Sequence, residues 1–208
     1  NSANVDVSGG AQRTLTGNLS NNAGGVLDTA AATPLLVTGV LTNAATGQIQ
    51  AGANITVGAD YNNLAAGNGN AFNHRANVTG AGLILAAGNV TQAITGAVIG
   101  GTTASPVLDF GNVRVGASVT RNYQIANTGT TGPDLRGAIQ TSVNGGNITD
   151  VRLTGSGVTA GNFGPVGIGA SSGNQAVNFN ASSAGALTGQ AVHIANNFDN
   201  VQDQTIEI

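Results

Sequence analysis

The chain has no cysteine, no methionine and no tryptophan, and all six basic residues are arginines, so lysine is absent as well. Lack of cysteine removes disulfides, thiolate nucleophiles and cysteine-based zinc sites together. Lack of lysine rules out the Lys-Asn isopeptide crosslinks that some bacterial surface fibres use. Charge of either sign is scarce too: 7% of 208 residues are charged, against about 25% in ordinary soluble domains. The supply of general acids, general bases and metal ligands is correspondingly small, which points away from an enzyme and from any cofactor.

Arg13, Arg75, Arg114, Arg121, Arg136 and Arg152 stand singly in a chain of net charge −3. A nucleic-acid partner requires a basic patch to displace counterions from phosphates, so that class is excluded. No apolar run approaches the roughly 18 residues that span a bilayer, and the segment is not expected to cross a membrane. The opening Asn1-Ser2-Ala3-Asn4 is neither basic nor apolar, so any export signal is expected outside these residues. The same absences favour an exposed, long-lived protein outside a bacterial cell or on its surface.

What is present is glycine (33 residues), asparagine, threonine and regularly spaced Val, Ile, Leu and Ala. That combination folds, because disordered chains pair low hydrophobicity with high net charge. Period-two alternation recurs, as in Ser118–Ala126, where Val119, Tyr123 and Ile125 point one way and Thr120, Asn122 and Gln124 the other. Residues 147–153, 175–180, 190–194 and 204–208 read the same way. Between them Thr128-Gly129, Asn144-Gly145-Gly146 and Ser172-Gly173-Asn174 supply turns.

An internal match adds to this pattern. Val7–Ala11 with Thr14 and Leu19-Ser20-Asn21 lies over Val113–Ala117 with Thr120 and Ile125-Ala126-Asn127. Asn54–Ala59 lies over Ala176–Ala181, and Gln92-Ala93-Ile94 over Gln204-Thr205-Ile206. The sequence therefore predicts an all-β protein of two tandem immunoglobulin-like antiparallel β-sandwich domains, residues 1–100 and 107–208, joined by Gly100–Pro106.

Val107-Leu108-Asp109-Phe110-Gly111-Asn112-Val113-Arg114-Val115-Gly116, then Val119-Thr120-Arg121 and Ile125-Ala126-Asn127-Thr128-Gly129, resembles the opening of bacterial choice-of-anchor D repeats, relatives of the hydin-type immunoglobulin-like domains. The resemblance implies a large secreted or surface-tethered protein and carries no catalytic residue. In physical terms, Phe110 plugs a sandwich end, Gly111 lets the chain bend, and Asn127-Thr128-Gly129 offers a residue able to take positive φ.

Chemistry-bearing residues are few. His193 alternates with Val192 and Ile194 and is expected at solvent or a domain junction. His74 lies in a turn-rich insertion, Gly67–Arg75, whose Asn68, Asn70, Phe72, His74 and Arg75 form a candidate partner-contact loop. Asp60, Asp199 and Asp203 lack calcium-loop spacing and read as solvated turn aspartates. Ser156, between Gly155 and Gly157, has no nucleophile-elbow pattern, and Gly164–Gly169 is no phosphate cradle. The functional expectation is an extracellular structural protein, a subunit of a surface filament, sheath or layer. It would polymerise with identical subunits through sandwich contacts or strand addition, because its strand edges have almost no charged gatekeepers. The alternative is a surface adhesin or carbohydrate-binding module gripping a surface glycan.

Overall fold

In the computed structural model the described residues are 4–65, 78–96, 101–102 and 105–208. Buried side chains of residues 26–63 come as pairs two apart: Leu27 and Thr29, Leu35 and Val37, Leu41 and Asn43, then Ile49 and Ala51, Ile55 and Val57, Tyr61 and Asn63. Each pair is the inward face of a strand three or four residues long. Strands β1 (Asn4–Val7), β2 (Arg13–Leu15) and β3 (Leu19–Asn21) are followed by β4 (Val26–Thr29), β5 (Leu35–Val37) and β6 (Leu41–Asn43). Next come β7 (Gln48–Ala51), β8 (Ile55–Val57) and β9 (Tyr61–Asn63), then β10 (Val78–Thr79) and β11 (Ile84–Ala86).

These strands form three sheets in the orders β1-β4-β7-β10, β11-β8-β5-β2 and β3-β6-β9, and every pair in them is parallel. Asn4 lies opposite Val26 and Val26 opposite Gln48, a step of 22 residues; Leu35 lies opposite Ile55, a step of 20. The backbone therefore winds as a three-sided coil, a β-solenoid in which each turn stacks its inward side chains on those of the next. Parallel neighbours cannot be joined by a tight hairpin, and here the other two sides of the coil supply the long return. Glycine is required where a corner presses on the core: a Cβ at Gly47 would collide with Asn43 Oδ1 and stand 3.0 Å from Asn21 Nδ2.

From Gln92 onward the pairing changes. Strand β12 (Gln92–Gly96) leads to β13 (Ser118–Asn127), β14 (Leu135–Gln140), β15 (Leu153–Thr154), β16 (Gly161–Val166), β17 (Gln175–Asn180), β18 (Ala191–Asn196) and β19 (Gln204–Glu207). They make two four-stranded sheets, β12-β13-β17-β15 and β16-β14-β18-β19, with all neighbours antiparallel. Their inward residues, among them Tyr123, Ile125, Val177, Leu135, Ile139, Val192, Ile194 and Ile206, share one hydrophobic core with the inward residues of the solenoid.

The expected architecture of two tandem immunoglobulin-like antiparallel sandwiches is therefore wrong. The chain is all-β, but the described residues between 4 and 86 form three parallel sheets. The strand register explains the error. Val7–Asn21 runs through three different sheets of a coil, whereas its apparent match Val113–Asn127 leads into one long antiparallel strand. Likewise the 54–59 match is parallel β8, and its counterpart is antiparallel β17. Residues 147–153, read as a strand from their alternation, are mostly irregular: Asn147 makes an isolated bridge to Ala191, and only Leu153–Thr154 pairs as a strand. Phe110 is buried against Phe179, ring centroids 5.5 Å apart, and Gly111 has φ of 64°. Gly129 has no positive φ; Asn127 Oδ1 instead accepts from Gly129 N at 3.2 Å, and the left-handed residue is Gly132.

Candidate functional site at the ends of the solenoid

The third strand of each turn places one asparagine inward, and the three stack into a hydrogen-bonded ladder. Asn21 Nδ2 donates to Asn43 Oδ1 at 2.8 Å, and Asn43 Nδ2 donates to Asn63 Oδ1 at 3.0 Å. The same amides also donate to the corners: Asn21 Nδ2 to Gln48 O at 2.8 Å and Gly25 O at 3.3 Å, and Asn43 Nδ2 to Gly47 O at 3.2 Å. An amide suits this position because it both donates and accepts, so identical residues satisfy one another when stacked. Spacing from the preceding strand puts Gln92 in the ladder's next place, eight residues after Ile84 as Asn63 is eight after Ile55. Gln92 Nε2 leaves the ladder and donates to Ile194 O of β18 at 3.0 Å.

That handover belongs to a covered end. Asn200 applies both ends of its side-chain amide to the edge strand β11, accepting from Ala86 N at 2.9 Å and donating to Ala86 O at 3.0 Å. Asp199 does the same with one side-chain and one backbone atom: Ile84 N donates to Asp199 Oδ2 at 3.1 Å, and Asp199 N donates to Ile84 O at 2.9 Å. Asn197 Nδ2 donates to Tyr61 O at 3.1 Å, and the Phe198 ring lies 6.4 Å from that of Tyr61. Burial, and after it the negative charge of Asp199, push the Tyr61 hydroxyl well above its ordinary range. Arg136 of β14 closes the flank on Asp60, with Nη2 at 2.6 Å and Nε at 2.8 Å from Oδ2. Asn89 Oδ1 accepts from Thr130 N and Thr131 N at 2.7 and 2.8 Å, pinning the turn between β13 and β14.

At the opposite end no strand among the described residues covers the first turn. Strands β1, β2 and β3 are each the outer strand of their sheet. Val5 is 39% and Leu15 36% exposed, although they stand in register over the buried Leu27 and Val37. With Val7, Leu19 and Leu35 they line a concavity of about 330 Å³. Arg13 occupies an inward register position above Leu35, and its guanidinium turns aside to donate to Ser8 O, with Nη2 at 3.1 Å and Nε at 3.3 Å.

The other candidate residues behave differently from the sequence expectations. Asn68, Asn70, Phe72, His74 and Arg75 lie outside the described residues. Asp60, Asp199 and Asp203 are not solvated turn aspartates: each caps or pairs a neighbour, Asp203 Oδ1 accepting from Asn196 N at 2.9 Å and from Asn196 Nδ2 at 2.7 Å. His193 sits on β18 rather than at a junction, 3.2 Å from Thr205 Oγ1 through Nδ1 and 3.4 Å from Asp203 Oδ2 through Nε2. Ser156 Oγ accepts from Ala176 N at 3.0 Å and so serves the backbone. Among the described residues no group of three or more His, Cys, Asp or Glu side chains is placed to hold a metal ion. No helix among them is long and apolar enough to cross a membrane, which says nothing of a β-barrel.

Sequence reasoning missed the asparagine ladder and the Asp199-Asn200 cap. The ladder had a signal, since Leu41-Thr42-Asn43 and Tyr61-Asn62-Asn63 recur 20 residues apart. Asn200 had none, because its partner Ala86 is distant in sequence. The geometry defines a class, a parallel β-solenoid sealed at one end by an antiparallel two-sheet unit. No protein-family model, curated protein or solved structure matches the chain.

Proposed function

We propose that this chain is an extracellular structural protein of a bacterial surface, part of a filament, sheath or layer. The observation that carries this reading is the pair of unlike solenoid ends. One is sealed by Phe198, Asp199 and Asn200, while at the other the three strand edges have no neighbour among the described residues, with Asp6 and Arg13 the charged residues on them. Uncovered strand edges are the usual starting point for strand addition, and proteins that must stay apart usually block them. Most polar side chains at the covered end and along the ladder are engaged with backbone or with each other, Asn63 Nδ2 and Gln92 Oε1 being buried exceptions, as suits a load-carrying module rather than a reaction centre. The likeness of residues 107–129 to choice-of-anchor D repeats supports the surface setting.

Electron microscopy of native material tests the reading: ordered fibres or a lattice containing this chain are expected. Dispersed monomers in the micrographs, together with saturable binding on a glycan array, would replace it with the adhesin or carbohydrate-binding alternative.

A further inference from the structure

Where glycine follows asparagine, the glycine nitrogen can attack the asparagine side-chain amide, because no Cβ hinders the five-membered ring that forms. The chain has two such pairs, Asn68-Gly69 and Asn144-Gly145. The first lies outside the described residues; the second is at the tip of the loop between β14 and β15. Asn144 and Gly145 are both exposed, with φ of 54° and 96°, and Gly146 N donates to Val143 O at 2.8 Å, a mirror-image turn of the kind Asn-Gly favours. The central N–H of that turn, on Gly145, makes no hydrogen bond among the described residues. Space around it is open, since a Cβ built on Gly145 would meet only Thr205 Oγ1, 4.0 Å away. One bond restrains the side chain: Asn144 Nδ2 donates to Gln140 Oε1 at 2.9 Å. The loop is pinned behind its tip, Ile148 N donating to Thr141 O at 2.8 Å and Asn147 N to Ala191 O at 2.7 Å, so the tip can open while the sheet stays closed.

We propose that Asn144-Gly145 is a self-modifying site, at which Gly145 N displaces ammonia from Asn144 Cγ and water opens the resulting succinimide. The N–Cγ bond forms as the Cγ–Nδ2 bond breaks; the proton on Gly145 N passes to solvent, and Nδ2 takes one from solvent to leave as ammonia. Water then adds at Cγ, giving aspartate, or at the Asn144 backbone carbonyl, giving isoaspartate. Water is the sole co-reactant, and nothing is oxidised or reduced. Either product is a carboxylate, which cannot donate to Gln140 Oε1. Gln140 is only 6% exposed and so loses the donor its Oε1 has, which releases the loop tip from β14 and leaves the chain one charge more negative. The rate is set by how often the turn opens, so the conversion acts as a clock in a long-lived protein. None of this depends on the surface reading above.

The test follows the native full-length chain in water enriched in heavy oxygen at about pH 8.5, where the attacking nitrogen is more often deprotonated. Trypsin releases the site in one peptide, between Arg136 and Arg152. Asn144 is expected to be lost at least about tenfold faster than Asn112, which is exposed too but is followed by Val113, whose branched Cβ hinders ring closure. Isoaspartate and aspartate should both appear at position 144, each carrying one heavy oxygen. In a Gln140→Ala chain the loss should be about 2–10-fold faster, the factor that one neutral hydrogen bond gives. Asn144 lost no faster than Asn112 overturns the proposal. Aspartate without isoaspartate also overturns it, because direct hydrolysis then replaces the backbone attack. A Gln140→Ala chain that converts no faster than wild type dismisses the bond to Gln140 as the restraint.

Discussion

Replacing Asn43 by aspartate is the sharpest perturbation the ladder offers, because it preserves shape and reverses hydrogen-bond character. Asn43 is fully buried; it accepts from Asn21 Nδ2 at 2.8 Å and donates to Asn63 Oδ1 and Gly47 O at 3.0 and 3.2 Å. An ionised carboxylate in its place keeps the first bond and turns the other two into oxygen against oxygen. Losing two neutral bonds costs about 1–3 kcal/mol, and an uncompensated carboxylate in a dry site brings the total to about 3–5 kcal/mol. The protonated carboxyl recovers one donor, leaving a deficit of about 1–2 kcal/mol.

The pH dependence identifies the cause. Burial and facing oxygens raise the folded-state pKa of the new carboxyl above its unfolded value of about 3.9. A raised pKa contributes stability that is present in full below the unfolded value and is lost as pH rises through the folded value. The variant is therefore expected to lie closest to the wild type near pH 4 and furthest from it at pH 7. The gap of about 2–3 kcal/mol corresponds to a shift of roughly two pKa units. Urea unfolding followed by far-ultraviolet circular dichroism at both pH values measures it, with Asn43→Ala as a variant whose deficit has no such slope. An Asn43→Asp chain within about 1 kcal/mol of wild type at pH 7, or with a deficit equal at both pH values, would refute the ladder as described.

Two further outcomes are expected. Asn200→Ala removes both bonds to Ala86, and water replaces them in part, so the edge is weakened by about 1–2 kcal/mol; exchange at the Ala86 amide should quicken about 5–30-fold, while amides of β4 and β5 stay unchanged. Asp150 is held below the usual carboxylate range, first by its side-chain bond from Arg152, whose Nη2 lies 2.6 Å from Oδ2. A lowered pKa gives stability present above the unfolded value and lost as pH falls through the folded one. Acid titration of unfolding should consequently show a loss below about pH 4 that Asp150→Asn flattens, and identical acid profiles for the two chains would dismiss the interaction.

Legibility in the sequence tracked strand length. Strand β13 has ten residues, enough for Val119, Tyr123 and Ile125 to declare an inward face, and β17 and β18, with six each, are long enough as well. Solenoid strands of three or four residues hold two inward positions each, too few for alternation to separate a strand from a turn. Their signal is the period instead: Leu35-Leu36-Val37 returns as Ile55-Thr56-Val57, and Leu41-Thr42-Asn43 as Tyr61-Asn62-Asn63. Likeness between the two halves of the chain, at offsets above 100 residues, masks this shorter period, because the same few residue types recur at both spacings. The Asp199-Asn200 cap joins groups more than 110 residues apart, and local sequence contains nothing that specifies such a contact.

The scarcity of charge follows from the coil itself. In a parallel stack every side chain has its counterpart from the adjacent turn about 4.8 Å away, so an ionised residue at a repeated position meets its own sign, as Asp6 does opposite Asp28. Asparagine and threonine escape that penalty because each can donate and accept, and selection for stackable residues drives the charged fraction down. The low charge that suggests edge-to-edge assembly thus has a sufficient cause inside one molecule. The ladder itself runs one way, Asn21 donating to Asn43 and Asn43 to Asn63, and it stops inside the molecule, where Gln92 Nε2 turns to Ile194 O and Asn63 Nδ2 meets no acceptor among the described residues.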